Sequence, residues 1–104
     1  MGAQKPELEK LAQEMPTVMQ SFNRLHEAVI KEGVLSAKQK ELIAVGIAVA
    51  LRCPYCIAAH VAKARELGAT RQEILEAASV AILMGGGPSA AYTVEVLKVL
   101  DGKE

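Results

Sequence analysis

The sequence predicts an all-α fold, a compact bundle of about six helices that associates with copies of itself. Three observations predict it. Hydrophobic residues make up 51% of the 104-residue chain but aromatic ones only 3%, so Ala, Val, Ile, Leu and Met carry the apolar content, and that is a helical composition. Helix-start and helix-stop signals recur along the whole chain. No stretch demands a strand. At this length, residues 1–104 read as a single domain.

The elements follow in order. A short first helix is expected from Pro6 to about Glu14. Pro16 suits a first helical turn, and Val18, Met19, Phe22, Leu25, Val29 and Ile30 recur on one face until Gly33, a natural stop. Ser36 with Gln39 three residues on forms a capping-box pattern that opens a third helix running through Leu51, apolar nearly all round. Pro54 lacks an amide donor and disfavours helix at Cys53, so the chain should break near Arg52 and start again at the cysteines. That fourth helix should end at Gly68, and Thr70 with Glu73 caps a fifth through Met84. After the run 85–88, Gly-Gly-Gly-Pro, the proline launches a sixth helix that buries Tyr92, Val96, Val99 and Leu100.

Composition excludes several roles. Twelve basic and twelve acidic side chains cancel, which removes the basic footprint that nucleic acid or an anionic membrane surface needs. The longest apolar run, Leu42 to Leu51, is ten residues, about half the roughly 20 that span a bilayer. The start, MGAQKPELEK, lacks the apolar core of a signal peptide, so a cytoplasmic location is expected. Helices three and five, the latter through "ASVAILM", carry more apolar surface than so small a core can cover. A homo-oligomer with helical interfaces is therefore expected.

Both cysteines and one of the two histidines lie within "RCPYCIAAH", residues 52–60. In a reducing compartment a close cysteine pair is more often catalytic or metal-binding than structural. Cys56 and His60 are four apart on one helix face, and Cys53 sits one turn before Cys56 at the helix start. Such a start favours a thiolate. A thiol pKa lowered from about 8.5 to about 6.5 raises the thiolate fraction at pH 7 from roughly 3% to roughly 75%. A thiolate attacking a peroxide becomes a sulfenic acid, which a second thiol one turn away can capture, while His60 takes or gives the proton. Other readings stand beside it. Zinc is one, with Cys53, Cys56 and His60 as ligands, but a structural site wants four and no second CxxC or paired histidine appears elsewhere. His26, distant along the chain, is expected to be a surface or satisfied helix residue. Two buried free cysteines beside a core histidine are a further possibility. The tetrapeptide "CPYC" is also that of glutaredoxins, but a thioredoxin-type motif follows a strand, and here it follows an Ala-rich helix. No flavin, haem or nucleotide motif appears, and "GGGP" lacks the lysine and hydroxyl residue of a phosphate loop, so no cofactor is expected.

The segment "KELIAVGIAVALRCPYCIAAHVAKARELGATRQEILEAASVAILMGGGPSAAY" closely resembles the carboxymuconolactone decarboxylase family, in particular its alkylhydroperoxidase-D-like branch. Its marks are Glu41 twelve residues before Cys53, the C-x-x-C-x-x-x-H of Cys53, Cys56 and His60, "GAT" at 68–70 and "ILMGGGP" at 82–88. The likeness spans roughly Phe22 to Leu100. It implies an all-helical subunit assembling as a trimer or hexamer, and a peroxidase in which Cys56 attacks the peroxide, Cys53 resolves, and His60 with Glu41 relays protons. A lipoyl-bearing or thioredoxin-like protein is the implied reductant. The family's lactone decarboxylases work without the cysteine pair, so a lyase activity is the weaker implication. In one place the chain departs from the branch: a second relay histidine is replaced by Tyr55, whose phenol, with a pKa near 10, does not shuttle protons at pH 7.

Overall fold

The computed structural model describes residues 5–103, with side chains from Glu7 onward. The first four residues and the last, on which part of the N-terminal reading rests, lie outside them. Six helices are present among the described residues: α1 (Lys5–Glu14), α2 (Pro16–Ile30), α3 (Ala37–Ala50), α4 (Pro54–Glu66), α5 (Arg71–Gly85) and α6 (Gly87–Leu100). The local chemistry accounts for most of their ends. Ser36 and Thr70 each cap a helix, their hydroxyls accepting from the N–H groups of Gln39 and Glu73 while those side chains accept from the cap residues' own N–H. Both expected capping boxes are thus complete.

Helices α3 to α6 enclose the core. α3 packs on α4 and α5, and α6 closes against both α4 and α5. Val45, Val49, Ile57, Val61, Ile74, Ala78 and Val96 are fully buried where they meet. The approach of α3 to α5 is close at Gly46, where an added Cβ would sit 3.1 Å from the carbonyl oxygen of Ala77. The four-helix core thus depends on a small residue at that crossing.

The second helix differs from its sequence reading in two ways. It ends at Ile30, three residues before Gly33, because Lys31 turns extended. The Lys40 ammonium donates to the carbonyls of Val29 and Lys31 at 2.8 and 2.7 Å, doing from α3 what a C-terminal glycine does locally. None of the residues of α2 is buried, and Val18, Phe22, Leu25 and Val29 are each more than half exposed. Its apolar stripe therefore lies outside the core of the single chain. The radius of gyration, 13.9 Å, exceeds the about 13 Å of a compact chain this long, as α1 and α2 lying beside the core would make it.

Candidate functional site

The site begins where α3 ends. The amide of Arg52 bonds the carbonyl of Val49 and that of Cys53 the carbonyl of Ala48, a Schellman closure with Arg52 in the left-handed region at φ 56°. Glycine usually holds that place, and does so where α4 ends at Gly68. The turn is short enough that Cys53, its last residue, is also the N-cap of α4, and its Sγ accepts from the amide of Cys56 at 3.2 Å. Pro54 occupies the first turn, where a missing amide costs nothing. Cys53 and Cys56 are joined as a disulfide, with Cα atoms 5.2 Å apart.

One turn further along α4, His60 Nδ1 lies 2.6 Å from Oε1 of Glu41, which α3 delivers fully buried from its second turn. This contact holds one proton between Nδ1 and Oε1, and where the imidazole is the donor its Nε2 is left as the basic nitrogen. The pair is short and partly shielded from solvent. Of the four residues singled out in the sequence, Cys53 and Cys56 are thus joined at the start of α4, and Glu41 and His60 are paired between α3 and α4.

His26 also belongs to the site, contrary to the expectation from its distance along the chain. Its Nε2 is 3.9 Å from Glu41 Oε2, and its ring meets that of His60 edge-on with centroids 5.6 Å apart. Both Nε2 of His26 and Oε2 of Glu41 are buried without a hydrogen-bond partner among the described residues. His26 and Glu41 are among the residues that line a cavity of about 590 Å³, together with Asn23, Lys31 and Lys63. No local spacing announces this residue: it reaches the site on a different helix, α2. The packing of α2 against α3 is what brings it there.

Tyr55, between the cysteines, donates its phenol proton to Glu7 of α1 at 2.9 Å. That hydrogen bond, more than desolvation or the carboxylate's charge, raises the phenol above its ordinary pKa. The residue that replaces a relay histidine is thus occupied in tying α1 to the disulfide turn. With both sulfurs in the disulfide, neither is a thiolate free to bind zinc.

Residues 16–99 match the carboxymuconolactone decarboxylase family. An uncharacterised protein of Cupriavidus necator is 38% identical over 88% of this chain and 80% of its own length. Among solved structures, a carboxymuconolactone decarboxylase family protein of Legionella pneumophila superposes with a TM-score of 0.88 at 43% identity, over 95% of this chain and 88% of that one. Another, from Thermotoga maritima and considered for involvement in antioxidative response, gives 0.76 at 30% identity over 83% of this chain and 89% of that one. With its helical fold, its cysteine pair and a match extending over most of its length, the chain belongs to the carboxymuconolactone decarboxylase family.

Proposed function

We propose that this protein is a dithiol peroxidase that reduces hydroperoxides through Cys56 and Cys53. The observation that carries the reading is the disulfide at the start of α4, one turn from the buried Glu41–His60 pair. The Cys56 thiolate attacks the terminal peroxide oxygen; the O–O bond breaks, its electron pair leaves with the alkoxide, and protonated His60 supplies the alkoxide's proton. Cys53 then attacks the sulfenic sulfur, hydroxide departs as water with one more proton, and the disulfide forms. One dithiol and one hydroperoxide thus yield one disulfide, one alcohol and one water. A lipoyl-bearing or thioredoxin-like dithiol protein returns two electrons by exchange, which suits a trimer or hexamer working in the cytoplasm. The antioxidative role considered for the Thermotoga relative points the same way.

The two cysteines are not equivalent in this scheme, and single substitutions test it. Peroxide added to reduced Cys53→Ser should leave a sulfenic acid on Cys56 that dimedone traps, read by mass spectrometry. Cys56→Ser should leave none on Cys53. Sulfenate confined to Cys53 reverses the two roles, and survival of both thiols of the unmodified protein in a large peroxide excess defeats the peroxidase reading.

A further inference from the structure

His26, Glu41 and His60 arrive from three helices, and each offers one donor atom, all within 4.8 Å of one another. Two imidazole nitrogens with one carboxylate oxygen make the donor set that borderline divalent ions such as zinc take. Around a tetrahedral ion with bonds near 2.0–2.1 Å, donor atoms stand about 3.4 Å apart. The two nitrogens approach different oxygens of the one carboxyl, His60 Nδ1 at 2.6 Å from Oε1 and His26 Nε2 at 3.9 Å from Oε2, and the one-per-residue donor set lies within 4.8 Å. Modest side-chain rotation closes the set.

A second, independent observation points to a ligand here. Glu41 is fully buried, yet among the described residues its Oε2 has no hydrogen-bond partner, and the Nε2 of His26 that faces it at 3.9 Å has none either. Buried polar atoms are seldom left so. An ion bridging the two satisfies both at once. Access is provided by the cavity that His26 and Glu41 border, whose about 590 Å³ leaves room for a water as fourth ligand. Glu27, Glu32 and Glu41 outnumber Lys31 and Lys63 on its wall, so the charge there does not oppose a cation.

We propose that His26, Glu41 and His60 form a binding site for a divalent transition-metal ion, with three protein donors and an open position toward the cavity. This site is distinct from the clip of two cysteines and His60 read from the sequence, since it uses no sulfur. On binding, the ion takes the place of the Nδ1 proton of His60 and breaks the His60–Glu41 hydrogen bond, the proton passing to solvent. Metal and proton relay are therefore mutually exclusive, and a bound ion holds the thiol chemistry off. Metal uptake itself does not depend on the peroxidase reading.

The test uses the oxidised full-length chain, whose disulfide leaves no thiol to compete, stripped with a chelator and titrated with Zn²⁺ in a calorimeter. One ion per chain is expected. Co²⁺ as a spectroscopic probe should give visible d–d bands without a thiolate charge-transfer band. The Cys53→Ser/Cys56→Ser double variant should bind as the parent does. His26→Ala, and the bulkier His26→Gln in case the smaller side chain perturbs α2, should each weaken binding at least about 10-fold while retaining the helical circular dichroism. Absent or substoichiometric uptake, or undiminished affinity in both His26 variants, overturns the proposal, and so does loss of uptake in the cysteine double variant.

Discussion

At the scale of residues, the one hydrogen bond that orients His60 among the described residues is the 2.6 Å approach of its Nδ1 to a fully buried carboxyl. Glu41→Gln keeps the shape but replaces the carboxyl with an uncharged amide that cannot exchange a proton with the imidazole across this contact. The first oxidation of Cys56 should slow by about 100-fold or more in Glu41→Gln, and similarly in His60→Ala. Stopped-flow consumption of thiol by peroxide measures it. Because the two residues act as one unit, the double variant should be little slower than either single one; additive losses would mean that they act separately. Glu41, Cys53, Cys56 and His60 were all legible in the sequence, the cysteines and His60 because helical spacing puts them on consecutive turns, Glu41 through the family resemblance. His26 was not, because its neighbour is made by packing between helices and leaves no spacing to read.

At the scale of elements, the helix starts were legible wherever a side chain makes the cap, as at Ser36 and Thr70. One end was not. The break at Arg52 was legible from Pro54, although Arg52 closes α3 in a conformation that glycine usually takes, whereas α2 stops short of Gly33 and is finished by Lys40 from the following helix. Glu73 couples a cap to pH. The amide of Thr70 donates to its carboxylate at 2.8 Å and the Lys38 ammonium lies 3.0 Å away, which together hold its pKa below the ordinary 4.5. A carboxyl lowered by folding stabilises the folded state above its unfolded pKa, and that contribution is lost as pH falls through the lower folded value. Glu73→Ala should therefore melt below the parent protein at neutral pH, with the gap in Tm narrowing once the pH drops below about 4.5. Thermal melts followed by circular dichroism across an acid series measure the gap. A gap that stays constant into strong acid would show that the ionised carboxylate contributes nothing to the cap.

At the scale of the whole molecule, the core accounts for one side of α3 and α5 but not for the other. Ile47 of α3, Leu51 at its C-terminal cap, and Leu83 and Met84 of α5 remain at least half exposed, and an apolar groove of about 350 Å³ runs between the two helices through Gly46 and Ala77. The stripe of Val18, Phe22, Leu25 and Val29 on α2 is equally uncovered. Single exposed apolar residues are ordinary, whereas three helical faces of them on one small chain are what the expected homo-oligomer would cover. Burying one such leucine contributes about 1.5–3 kcal/mol, so a few of these positions suffice to hold subunits together. Light scattering coupled to size exclusion should give three or six times the 11.1 kDa of one chain. Leu83→Glu and Phe22→Glu each place a charge on such a face without touching the core, and should shift the mass toward the monomer while the helical circular dichroism is retained. A parent mass of 11.1 kDa at micromolar concentration would exclude the oligomer; full-size assemblies in both variants would place its interface elsewhere on the surface.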